Sequence, residues 1–412
     1  MTSVAIDTDR TPEHEFPTRY RAAEERGARL GRPLRLAARI REIDEDLLVR
    51  LGRGFMETDD LGGRLAKAMR LPATDPNRVT MADFRLALAE GIDAVPDAPA
   101  ALREFFDVVE TIPEWVDWDL IEEGARVFRF LGQNSLDILL QLSLIGGYRF
   151  GGPTDLLVAT GGLSGDSTMR RLGETQKWGV ALSQPGGLRR GSEGYSVAVH
   201  VRLMHALVNE SFTSRWDVER WGMPINQTDQ AATLGLFNGV PLIGCRALGA
   251  RITRADSRAY MHLWKYIGWL MGVDEQWLVE TEREQHRLNY HVLLVQDDIS
   301  DAGPQLANAI VDAQDSLHFR RFPAISRWLA RERLLSMLTM LLGPSSMRDL
   351  ELPIRPPWAP TYVFALNFLR YRVIGMTPWG HEALIRWGDR VAARTLYRHF
   401  GADRAEVGDL PV

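Results

Sequence analysis

Two histidines and an arginine interrupt an otherwise apolar stretch, Val-Ala-Val-His-Val-Arg-Leu-Met-His-Ala-Leu-Val, at residues 197–208. Wound into a helix, this stretch offers an apolar wall on which the neutral imidazole of His205 could ligate iron. Arg202, three residues earlier, could then reach a propionate of a porphyrin lying against the wall. A plainer arrangement fits the same letters: His205 fills core space and Arg202 closes a buried ion pair with a carboxylate elsewhere. Spacing alone leaves both open. Upstream, Arg170-Arg171-Leu172-Gly173-Glu174-Thr175 puts Arg171 and Thr175 four residues apart, on one helix face. A guanidinium and a hydroxyl converging there could hold dioxygen by hydrogen bonds, the polar element an oxygen-activating pocket needs. The alternative is a solvated face with an Arg171–Glu174 pair.

Other chemistries find less support. A dimetal helical bundle would need two Glu-x-x-His motifs, and none occurs; the nearest features are Glu282 with His286, then His291 and the pair Asp297-Asp298. Gly162-Leu-Ser164-Gly165 lacks the spacing of a hydrolase nucleophile elbow, and the glycines at 161–162 and 186–187 lack the strand–turn–helix setting of a nucleotide site. Cys245 is the only cysteine, which excludes an internal disulfide, a thiolate iron–sulfur cluster and covalent haem attachment through Cys-x-x-Cys-His. Without the upstream phenylalanine, glycine and arginine of a haem-thiolate loop, it reads as a buried, inert thiol. Any haem here is held non-covalently.

The elements that must position these residues are helices. Of 412 residues, 45% are hydrophobic and 25% charged, the composition of a soluble globular protein with a large core. Apolar positions recur at three- and four-residue intervals over Thr80–Gly91, Ala98–Glu110, Trp118–Tyr148, Ser167–Ser183, Tyr195–Glu210, Ser257–Leu270, Asp274–Val295, Ala302–Leu317, Ala324–Leu342 and Thr361–Phe400. Strand-like alternation is scarce. The expected fold is all-α, a single large domain over residues 18–402 between a disordered N-terminal segment, 1–17, and a tail, 403–412. A formal net charge of −5, with basic residues dispersed among acids, argues against nucleic acid as a partner. The first twenty residues are polar and acidic where a secretory leader would be basic and then apolar, so a cytoplasmic location is expected. Ile138–Tyr148, interrupted by Gln141, is shorter than the roughly 20 residues a bilayer demands, so it reads as a buried helix and no stable membrane insertion is expected.

Taken together, "LLVATGGL…RRLGET…GYSVAVHVRLMHALV" between Leu156 and Val208, then Gly222-Met-Pro-Ile-Asn-Gln-Thr-Asp, then the run from Ala259 to Val273, resemble the family of latex-clearing rubber oxygenases and the mycophenolic-acid-pathway oxygenase. The resemblance spans roughly residues 30 to 400. It implies haem b in a globin-like helical core with His205 as proximal ligand, Arg202 as a cofactor anchor, Arg171 and Thr175 on the distal side, and Asp155 as the acidic catalytic base. Two positions depart from the family. Glu174 stands where latex-clearing proteins carry a lysine that can ligate the iron, and Asn209 replaces a second arginine four residues after the histidine. The implied function is O₂-dependent oxygenation of a small or medium-sized, unsaturated, isoprenoid-like substrate, with cleavage of a C=C bond favoured. Monooxygenase or peroxidase-like chemistry, and a non-catalytic haem or apolar-ligand carrier, are the alternatives.

Overall fold

A computed structural model of the chain describes residues 15–161 and 167–401. Of the two expected terminal segments only residues 15–17 fall among them, and Gly162-Leu-Ser164-Gly165 also lies outside. The described residues are helical, with no strand. Helix starts follow from local side-chain chemistry. Thr80 with Asp83, Thr253 with Asp256 and Thr281 with Glu284 each form a reciprocal capping box, and the Asp117 carboxylate accepts from the amides of Asp119 and Leu120.

Two of the expected long helices, Trp118–Tyr148 and Thr361–Phe400, are divided into separate α-helices. Trp118–Tyr148 becomes Trp118–Leu131, then a break at Gly132 (φ 52°), Gln133–Ile138, and a π-helix over Leu139–Ile145. A Cβ at Gly132 would sit 2.5 Å from the Trp387 ring, so close packing and positive φ both require glycine there. Thr361–Phe400 becomes Trp358–Arg372 and Pro378–Phe400, the second begun by a Thr377 cap and a proline in its first turn. Ala324–Leu342 lies within Pro323–Asp349, which is kinked where Gly343 takes φ 78° ahead of Pro344. No helix among the described residues is long and apolar enough to cross a membrane.

The His205 helix, Glu193–Phe212, packs between Asp60–Met69 and Ser167–Leu182 and also meets Arg254–Leu270. Arg254–Leu270 is buried along nearly its whole length and lies tightest against Trp118–Leu131. Gly124 permits that approach, because a Cβ there would stand 2.4 Å from the Ala259 carbonyl oxygen. Overpacking costs roughly 1–3 kcal/mol, more than the ~1 kcal/mol that alanine returns in helix propensity. Gly124→Ala should therefore lower the urea midpoint; an unchanged or raised midpoint would show that this contact yields without strain.

Candidate functional site

A cavity of about 1110 Å³ opens within the helices, larger than the roughly 300–1,000 Å³ of ordinary small-molecule pockets. Its wall is predominantly apolar. The π-helix Leu139–Ile145 lines one part of it, in keeping with the frequent use of such turns at functional sites. Trp178, Phe237 and Trp264 line another, their ring centroids 5.1–5.8 Å apart. The indole nitrogens of Trp178 and Trp264 are buried and find no partner among the described residues.

His205 lines this cavity and is half-buried. Its Nδ1 is buried and has no hydrogen-bond partner among the described residues. Desolvation pulls the pKa down to about 4, against a weaker upward pull from Asp59, so the ring is neutral at physiological pH. A neutral imidazole with an unsatisfied nitrogen, set in an oversized apolar chamber, fits a haem held through one protein ligand. No group of three His, Cys, Asp or Glu side chains among the described residues converges as a bare-metal site would require.

Of the distal candidates, Thr175 lines the cavity, with its hydroxyl donating to the Arg171 carbonyl at 3.0 Å. Arg171 is half-buried, is not among the described lining residues, and forms no ion pair among them. Glu174 pairs with Arg170 at 2.9 Å rather than with Arg171, and stands off the described lining. Asp155 is a helix cap: its Oδ2 accepts from the Gly152 amide and from the Ser300 hydroxyl, both at 2.9 Å. The helix it starts, Pro153–Ala159, contributes Thr154 and Leu156 to the cavity, whereas Asp155 is absent from the described lining.

Arg202 is held by Asp59 through two hydrogen bonds of 2.7 and 2.8 Å, with both side chains nearly buried. This is the ion pair that the sequence offered as the plainer alternative, with its fork already filled. Asn209 binds the backbone of Ile225, donating to its carbonyl and accepting from its amide at 2.8 Å each. Sequence reasoning missed a second buried pair, Arg19 with Asp229. Asp229 lines the cavity, and its Oδ1 together with Arg19 Nε and Nη1 has no partner among the described residues. The acid in Gln227-Thr-Asp-Gln was visible within the family motif; Arg19, 210 residues away, carried no signal.

The rival dimetal residues serve the framework. Glu282 binds Arg246, His286 at 3.2 Å and Ser257 at 2.6 Å. His291 accepts from the Asp44 amide at 3.0 Å, and its other ring nitrogen meets the Arg287 carbonyl at 2.8 Å. Burial alone would push the Glu282 pKa up, but the hydrogen bonds from His286, Arg246 and Ser257 outweigh it and hold the carboxyl at about 2. Because the folded value lies below the ordinary 4.5, the stabilisation is complete above that pH and is lost as pH falls toward 2. The stability gap between the wild type and Glu282→Gln should close across that window in a pH series of denaturant melts. A gap that persisted to pH 2 would deny the shift.

Residues 138–375, more than half of the chain and including every candidate above, match the family described as "ER-bound oxygenase mpaB/B'/Rubber oxygenase, catalytic domain". The chain belongs to this family. Among curated relatives of the rubber oxygenase type it is 22% identical over 192 residues to a rubber oxygenase of Streptomyces sp. (strain K30). That match takes in 44% of this chain and 46% of the relative, so it spans less than half of the relative's length. Among solved structures the fold is similar to latex clearing protein in its closed state, with a TM-score of 0.52 at 18% identity over 78% of this chain and 92% of the other. The all-α rubber-oxygenase fold is thus the fold of this chain.

Proposed function

We propose that this chain is a haem b-dependent oxygenase that uses O₂ on an unsaturated, apolar, isoprenoid-like substrate, with oxidative cleavage of a C=C bond as the favoured outcome. The observation that carries this reading is His205, a neutral imidazole with an unsatisfied nitrogen in a large apolar chamber of a rubber-oxygenase-family protein. Haem, when bound, supplies the redox chemistry of O₂ that no side chain offers. His205 would hold it from one side. The Trp178, Phe237 and Trp264 wall would bind an alkene chain and exclude water. Thr175 has a hydroxyl that can turn from the Arg171 carbonyl to a polar ligand atom, with Arg171 one helical turn away. As a cap, Asp155 holds the Pro153–Ala159 wall in place; service as a proton acceptor would require release of its Ser300 or Gly152 contact. In the net cleavage both atoms of O₂ enter two carbonyl products, and no outside reductant is consumed.

The test is an optical spectrum of freshly purified protein in ferric and ferrous forms, followed by uptake of isotopically labelled O₂ with squalene. A Soret band and two carbonyl fragments, each carrying one labelled oxygen, are expected. Absence of the band would sink the haem assignment, and an epoxide or alcohol would replace cleavage by monooxygenation. Thr175→Val should reduce turnover on the order of 100-fold, the scale for loss of one positioned donor, with haem content unchanged. Wild-type turnover in that variant would remove Thr175 from the reaction.

A further inference from the structure

Positive charge is concentrated at one end of the cavity. Apart from the candidate ligand His205, the charged side chains among its described lining residues are Arg29, Arg32, Arg149 and Asp229. Asp229 is paired through Oδ2 with Arg19, which leaves three guanidiniums as the lining charges without an ion pair among the described residues. The three are neighbours in the fold. Arg26, one turn before Arg29 on the Glu24–Leu30 helix, donates to the backbone carbonyl of Arg149 at 2.7 Å, and Arg32 opens the next helix.

Arg29 and Arg32 are exposed at the rim and form no ion pair among the described residues. Arg149 is half-buried and lines the chamber. Its Nε donates to the Gly146 carbonyl at 2.7 Å and its Nη1 to the Ser346 hydroxyl at 3.2 Å, both neutral acceptors. The nearby acids, Asp298 and Asp349, are engaged by Arg26 at 3.0 and 3.5 Å and lie toward solvent. Burial, reinforced by Arg26 and partly opposed by Asp349, pulls the Arg149 pKa down to about 10, so it remains a cation at neutral pH. A largely buried guanidinium with no ion pair of its own among the described residues is costly, and its planar fork matches a carboxylate in two-point contact.

We propose that the Arg149 end of the cavity is a carboxylate-binding site, with Arg149 as the deep anchor and Arg29 and Arg32 as a rim that draws the anion in. The carboxylate belongs either to the porphyrin propionates or to the head group of a long apolar substrate. This rests on the proposed use of the cavity as a ligand chamber. The family's two arginine positions near His205 are already spent here, Arg202 on Asp59 and position 209 on an asparagine that binds backbone.

Full-length wild type, Arg149→Met and the rim double variant Arg29→Gln/Arg32→Gln are titrated with oleate, oleyl alcohol, protohaem and protohaem dimethyl ester. Loss of oleate affinity of about tenfold or more in Arg149→Met, with oleyl alcohol unchanged, assigns the site to a substrate carboxylate. An equal loss for protohaem but not its dimethyl ester assigns it to the propionates. Four wild-type affinities in Arg149→Met overturn the proposal. Should Arg149→Met fail to fold, the rim variant decides, since surface changes spare the core: severalfold weaker carboxylate binding, fading with salt, supports the site, and none refutes it. A protein that takes no haem yet still selects oleate over the alcohol would defeat the haem reading alone.

Discussion

Replacing His205 by alanine should yield a folded protein that no longer retains haem through purification. The imidazole is a neutral group on the cavity wall whose Nδ1 has no partner among the described residues, so its removal breaks no hydrogen bond there and enlarges a chamber already about 1110 Å³ in size. Stability should change little. Affinity for haem should fall by more than the roughly 10–100-fold that loss of mere second-shell support costs a metal site, because the ligand itself is gone. The measurements are the Soret-to-protein absorbance ratio and a thermal melt on the same sample, with added imidazole as a rescue that fills the vacated space. Full haem in His205→Ala would assign the proximal bond to another residue.

The second large effect concerns Asp59 and Arg202. Asp59→Ala leaves the Arg202 guanidinium buried without its carboxylate, and such half-removal of a buried pair costs about 3–5 kcal/mol. The double variant Asp59→Leu/Arg202→Met should recover most of the loss, since an apolar pair of similar volume replaces an ionic one without the desolvation cost. The same variants separate a strut from a cofactor anchor. If Arg202 serves only the Asp60–Met69 and Glu193–Phe212 contact, the double variant binds haem like wild type. If Arg202 holds a propionate, haem affinity falls in the double variant although its stability has returned.

The His205 helix was legible because periodicity alone specifies it: Tyr195–Glu210 was expected and Glu193–Phe212 is found. The Ser167–Leu182 helix, with Thr175 on its cavity face, was legible for the same reason. What escaped was set by partners distant in sequence. Asp59 lies 143 residues from Arg202, and nothing around it marks it as that arginine's counter-ion. The break at Gly132 hides inside a run whose apolar pattern continues through it, and only the Trp387 ring explains it. The break after Arg372 is masked because Val373, Ile374 and Met376 are apolar yet exposed. Arg149 reads as an ordinary charged residue after a core helix until the fold encloses it.

The paired indoles of Trp178 and Trp264 also give the protein a built-in optical gauge. Both emit from the wall of the chamber that haem would enter, and a porphyrin's near-ultraviolet absorption overlaps indole emission. Loading should therefore darken the intrinsic fluorescence in proportion to occupancy. With 12 tryptophans in the chain, the quenched fraction, compared with that of Trp178→Phe, would report how much of the signal arises at the chamber wall.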